Sequence, residues 1–376
     1  MIKVLLVAPT DPDSPSSKPG DLKFLVGGEN TYTKTLLANP PHGVKYTYHL
    51  QALKERSISY LPIQKTLASL VKFRILPLSA GSQCFKVYGD FDLVHCHAYS
   101  LKIVGRELPV ILSDSSSNYL FLKDYLNWPE WKIKAGFVIR KFLFKKLGVS
   151  DPDTNLENVS KLIVFSKFAK DVHLKLGASE KKIAVILPGL PYPEAEKVRK
   201  NKGEINILFV GIWFERKGGP FLLEAFKILS KKFSNIRLTI VGPVPKSIKY
   251  QVSSIKYYDF VPRDKLLSDF FPQADIFVLV PPKAEGFGFV VLEAASFGIP
   301  AIVSRVYALP EIVNDKITGF VIEPNNLGQL VNRLEKLIND DKLRQEMGLS
   351  AAKKFKQRYE VEVTNGQLLK TYQSLL

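Results

Sequence analysis

The sequence predicts an α/β protein built from two doubly wound parallel sheets, and three observations carry that expectation. Short β-branched runs alternate with helix-spaced segments along most of the chain. The alternation breaks at a polar, proline-rich stretch, PGLPYPEAEKVRKNKGE (188–204), and then restarts. A chain of 376 residues exceeds what one core serves and suits two domains of roughly 150–200 residues each.

Taken in order, the first half offers strands at IKVLLVA (2–8), VKYTYHL (44–50), FDLVHC (91–96), PVILS (109–113), KLIVFS (161–166) and KIAVIL (182–187). The second half offers INILFVG (205–211), IRLTIVG (236–242), ADIFVLV (274–280), PAIVS (300–304) and TGFVIE (318–323). Beyond about Asn325 the chain becomes charged and helix-spaced to its end. The expected domains are 1–190 and 205–355, joined by a linker at 191–204 and followed by a terminal segment, 356–376. Sheets of this kind bind ligands at the carboxyl ends of their strands, and a two-domain chain can also use the cleft between domains.

Composition narrows the class. With 46% hydrophobic and 24% charged residues and no low-complexity tract, the chain reads as globular. Cys84 and Cys96 are its only cysteines, so a disulfide-built secreted fold is not expected. The opening MIKVLLVAPTDPD reads as a first strand and its loop rather than a signal peptide. No run reaches the ~18 apolar residues of a membrane-spanning helix, so a cytoplasmic protein is expected. The net charge of +17, of which +11 falls in residues 1–200, favours polyanionic partners. Nucleic acid is not the expected one, because no zinc-finger spacing, RNP-type sequence or basic heptad region is present.

The chemistry concentrates in PPKAEGFGFVVLEAASFG (281–298), where Glu285 and Glu293 flank a glycine–aromatic turn, Gly286, Phe287, Gly288 and Phe289. The turn follows a strand and precedes a helix-spaced run. Free backbone N–H groups at such a helix start attract anions, and glycine lets a phosphate come close. Carboxylates on either side suit a ligand with hydroxyls at both ends of a diphosphate. A nucleotide sugar has that layout. The segment GIWFERKGG (211–219) places Arg216 and Lys217 just after another strand. Cations at a helix start oppose its dipole and so need another reason to be there. In FDLVHCHAYS, strand alternation puts His95 and His97 on one face with Cys96 opposite. Two ligands on one strand are too few for a metal site, and no carboxylate partner is apparent.

The run EGFGFVVLEA, followed by LPEIV (309–313) and TGFVIEP (318–324), resembles the E-x7-E region of the retaining nucleotide-sugar glycosyltransferases of family 4. LVGGENTYTKTLL (25–37), FDLVHCH (91–97), EKKIAVILPG (180–189) and GIWFERKGG extend the resemblance over nearly the whole chain. It implies the GT-B architecture: two Rossmann-like domains, the first for acceptor and the second for donor, with the C-terminal helix returning to the N-terminal domain. It also implies retaining transfer of a hexose from a nucleotide diphosphate sugar, with no metal and no cofactor. Glu293 would hold the ribose hydroxyls, and Glu285 the donor sugar near its reacting carbon. The amides of Gly286 to Phe289 would position sugar and diphosphate. Lys217 matches the family lysine that stabilises the leaving group, with Arg216 as the second cation. His97 would hydrogen-bond the donor sugar, Gly27 and Gly28 would let backbone approach its phosphate, and the backbone near Val261 would read the base. Ile212 stands where the family usually has arginine, and Tyr307 and Ala308 where it often has a glycine pair. These departures keep an inactive sugar-binding relative open, and a nucleotide-sugar epimerase is the other alternative.

WPEWKIKAGFVIRKFLFKKLG (128–148) is the most distinctive segment of the first half. On a helix, Trp131, Ala135, Val138, Ile139, Phe142 and Leu143 gather on one side, while Lys134, Arg140, Lys141, Lys145 and Lys146 lie mostly elsewhere. Two readings stay open: an interfacial helix on an anionic membrane, or a core helix whose other face is wet. The first would make this a peripheral enzyme on the inner face of the cell membrane, with a lipid-linked rather than a soluble glycan acceptor.

Overall fold

A computed structural model describes residues 1–8, 27–72, 81–193, 203–248 and 252–376. The chain divides into two compact units. One holds the described residues up to Gly189 together with Val361–Leu376, and the other holds Leu190–Glu360. Most of the expected linker, 194–202, lies outside the described residues.

The first unit is built on a six-stranded parallel sheet. From one edge to the other its strands are Val44–Tyr48, Ile2–Val7, Leu93–His97, Val110–Asp114, Lys161–Val164 and Ile183–Val185. The strands Leu93–His97 and Val110–Asp114 are buried throughout, which is why they read as continuous apolar runs with few polar interruptions. A separate three-stranded sheet, Ile58–Tyr60, Ser82–Val87 and Ser100–Val104, was not legible in the sequence. Its strands are short and mix Ser, Gln and Lys with the apolar residues.

The second unit repeats the plan. Its parallel sheet runs Ile255–Tyr258, Ile236–Val241, Ile205–Val210, Ile276–Leu279, Ala301–Ser304 and Gly319–Ile322. The order reverses direction beside Ile205–Val210, so the loops after that strand and after Ile276–Leu279 open at a topological switch point. Every strand expected from the sequence is present. Among the described residues of this unit, the edge strand Ile255–Tyr258 is an addition to those expected.

Helices Leu327–Asn339 and Asp341–Arg358 follow the sheet within the second unit. Asn326 and Asp340 cap them, their side chains accepting from the amides of Gln329 and Leu343. The final helix, Val361–Gln373, belongs to the first unit. There the Asn365 side chain donates to the Asn39 carbonyl at 2.8 Å, and the Tyr372 hydroxyl meets that of Tyr46 at 2.9 Å.

In helix Glu130–Leu147 the side carrying Trp131, Val138, Ile139 and Phe142 is exposed, and Arg140 lies opposite it. Arg140 is buried with Ile133 and Phe144 and pairs with the buried carboxylate of Asp151. Ser100 and Thr154 hydroxyls also donate to Asp151, at 2.6 and 2.7 Å, so both oxygens of the buried carboxylate accept hydrogen bonds. No described helix is long and apolar enough to cross a membrane.

Candidate active site

In the second unit the chain leaves strand Ile205–Val210 at Gly211, turns over the buried Phe214 and enters helix Gly219–Ser230. Gly218 makes the turn possible. Its φ is +85°, and a Cβ there would lie 2.0 Å from the Val280 carbonyl oxygen. Only glycine lets this turn press against the end of the neighbouring strand, and that approach sets Lys217 beside Glu285. The Lys217 ammonium donates to the Glu285 carboxylate, and both side chains are largely buried. Burial pushes the Lys217 pKa down. The Glu285 charge opposes that shift and the Arg216 charge adds to it. Arg216, half-buried, lies over the exposed Trp213 ring at 5.9 Å.

Beyond Glu285, the turn is anchored by its aromatics. Phe287 and Phe289 are buried and meet edge to face, 5.5 Å between centroids. Gly288 takes φ +95° and starts helix Phe289–Ser296, whose second turn carries the buried Glu293. A side chain at Gly288 would strike Leu309, with a Cβ 2.7 Å from its Cδ2. The Arg263 Nε donates to Glu293 Oε1 at 2.8 Å. Arg263 follows the edge strand Ile255–Tyr258, just after the buried Val261.

In the first unit, His95 and His97 share a face of strand Leu93–His97 and are fully buried. Ser113, paired with His97 in the adjacent strand, ties the two rings together. Its Oγ lies 2.9 Å from both His95 Nε2 and His97 Nδ1. His95 Nδ1 meets the Tyr372 hydroxyl at 2.6 Å. Burial, helped by the neighbouring His97, pulls the His95 pKa down to about 3, so its ring stays neutral. The His97 ring stacks on Phe165 at 5.5 Å and leans on Tyr32 at 4.6 Å. Tyr32 belongs to helix Gly27–Ala38, which Gly27 and Gly28 open.

Of the residues singled out in the sequence, the fold brings Lys217 to Glu285 and gathers His95 and His97 around Ser113. Glu293 has a partner the sequence did not announce. Arg263 stands two residues after Val261, but nothing in its spacing pointed to a helix 30 residues on. Ser113, Tyr32 and Tyr372 were equally silent. At Tyr307, where the related pattern often has glycine, φ is +47°, the left-handed region in which glycine is unstrained. Among the described residues, no group of three or more His, Cys, Asp or Glu side chains is placed to hold a metal ion.

Residues 193–354 match the family described as Glycosyl transferases group 1. An uncharacterized glycosyltransferase of Methanocaldococcus jannaschii is 28% identical over 361 residues, covering 92% of this chain and 87% of that protein. Among solved structures, the sucrose-phosphate synthase of Thermosynechococcus elongatus superposes with a TM-score of 0.67 at 18% identity. That match covers 100% of this chain and 99% of the synthase. HepE of Anabaena, solved in complex with UDP and glucose, gives 0.63 at 15% identity and covers both chains completely. The family match, the glycosyltransferase relative and the two Rossmann-like sheets together support a glycosyltransferase of the GT-B fold.

Proposed function

We propose that the chain is a retaining hexosyltransferase of the E-x7-E type in family 4. It moves a hexose from a nucleotide diphosphate sugar to a glycan or lipid-linked acceptor, without a bound metal. The observation that carries this proposal is the Lys217–Glu285 pair beside the glycine turn and Glu293. Glu293 holds the ribose hydroxyls. Glu285 binds the hexose near its anomeric carbon, and the amides of Gly286 to Phe289 position sugar and diphosphate. As the glycosidic bond breaks, negative charge builds on the departing diphosphate, and Lys217 with Arg216 supplies fixed positive charge for it. The acceptor hydroxyl attacks on the leaving group's face, and the departing phosphate takes its proton. The Val261 backbone reads the base. The presence of UDP and glucose in the HepE structure supports a donor of this class.

Thermal unfolding with UDP, GDP, ADP and their sugar conjugates tests the donor assignment. A ligand at 100 times its Kd adds about 2.7 kcal/mol, a rise of a few degrees. One nucleotide series should raise the wild-type midpoint and leave Glu293→Ala unmoved. Release of nucleotide with retained anomeric configuration, unchanged by EDTA, then establishes retaining, metal-independent transfer. Donor binding without nucleotide release in the presence of candidate acceptors would point instead to the inactive relative, to which the Ile212 departure is the pointer.

A further inference from the structure

Helix Glu130–Leu147 has two apolar faces, and the fold uses only one. The inner face carries Ile133, Arg140 and Phe144, with Phe144 seated in a small cluster with Leu67, Cys84 and Val149. On the opposite side of the wheel stand Trp131, Ala135, Val138, Ile139 and Phe142. Trp131 is 73% exposed, Val138 70%, Ile139 61% and Phe142 71%. A monomeric protein exposes single apolar residues without consequence, but a contiguous stripe of large ones marks a contact surface. This stripe runs over three helical turns, about 16 Å.

Charge decides what covers it. At 100° per residue, exposed Lys134, Lys141 and Lys145 line one flank of the stripe, exposed Lys132 lies on the other, and exposed Lys146 closes the stripe at its C-terminal end. Lys134 and Lys145 also have carboxylate neighbours, Glu130 at 3.0 Å and Glu157 at 2.6 Å, and Lys132 lies over the Trp128 ring at 4.5 Å. A second copy of this helix would set lysine against lysine along both flanks. A lipid surface bearing negative headgroups meets the same pattern favourably: hydrocarbon below for the stripe, anions beside it for the amines.

We propose that Trp131, Ala135, Val138, Ile139 and Phe142 insert into the headgroup–acyl boundary of an anionic phospholipid bilayer, held there by the flanking lysines. The helix lies in the plane of the interface. Its inner face stays on the first unit, so docking needs no unfolding. Long lysine stems let the amines reach phosphates while their methylenes extend the apolar band. This surface is independent of the donor site, and its test needs neither donor nor acceptor, so it stands or falls separately from the transferase assignment.

The test is co-sedimentation of the full chain with vesicles of phosphatidylcholine alone and with a third phosphatidylglycerol. The chain binds the anionic vesicles, releases as salt rises, and leaves the neutral ones largely unbound. Val138→Glu/Phe142→Glu lowers partition about a hundredfold, because two buried apolar contacts are replaced by charges that the surface repels. Both positions face solvent, so the melting temperature stays at the wild-type value, which separates lost docking from lost folding. Lys141→Glu/Lys146→Glu keeps the stripe and lowers partition about tenfold or more, on anionic vesicles only. Equal binding to both vesicle types, binding unaffected by either double variant, or a wild-type dimer that Phe142→Glu dissociates would each overturn the proposal. The last outcome would assign the face to a second copy.

Discussion

Lys217 and Glu285 are separated by 68 positions in sequence yet form one largely buried ion pair, joined where two neighbouring parallel strands end. The proposed chemistry asks both to meet the donor, so the pair's electrostatics bear on stability and turnover alike. Removing either partner leaves the other desolvated and unpaired, which costs about 3–5 kcal/mol at a buried site and less where water reaches it. Lys217→Met and Glu285→Gln each lower the melting temperature, and the double variant recovers much of the loss. A thermal double-mutant cycle measures this coupling, and additive losses would show that the pair is not a unit. In turnover, Lys217→Met lowers kcat about 10²–10³-fold, as expected for one missing donor to a developing anion.

Arg263 gives a second test. Its guanidinium holds the Glu293 carboxylate in place at 2.8 Å, so Arg263→Met frees that carboxylate to take other rotamers. Nucleotide affinity then falls about tenfold, the scale of one charge-assisted hydrogen bond. Calorimetric titration reads the change, and Arg263→Lys recovers only part of it because the planar fork is lost. Tighter binding in Arg263→Met would mean that the arginine competes with the nucleotide.

The buried His95 makes a prediction about acid. Its folded pKa is near 3, below the ordinary histidine value of 6.5. Between those values the unfolded chain binds a proton that the folded chain refuses, so stability is lost as pH falls from 6.5 towards 3. The slope from this group is at most about 1.4 kcal/mol per pH unit. His95→Gln, which keeps hydrogen bonds open to Tyr372 and Ser113, flattens that part of the curve. Urea unfolding at pH 7, 6, 5 and 4 compares the two chains, and parallel curves would assign the acid loss to other groups.

Much of the fold was legible because parallel strands buried on both faces need apolar, β-branched runs, and those runs can be read in order. The three-stranded sheet of the first unit and the edge strand Ile255–Tyr258 were missed for the converse reason. Edge and antiparallel strands meet water on one side and admit Lys, Ser and Tyr, which blur the pattern. The carboxylates and cations of the proposed donor site drew notice in the sequence through their placement around glycines. Their partners were not, since Arg263 and Ser113 are common residues whose roles arise from contacts far apart in the chain.

Helix Glu130–Leu147 marks the boundary most clearly. Its sequence established that apolar and basic residues alternate around an 18-residue helix, and left open which side meets the protein. The tertiary structure decided it. Asp151, buried within the first unit, draws Arg140 inward, because a desolvated carboxylate must have a cation and hydrogen bonds. With Arg140 inside, the 100° step per residue turns Trp131, Val138 and Phe142 outward. Periodicity is local and written in the chain, whereas the choice of buried face depends on a charge that only folding brings near.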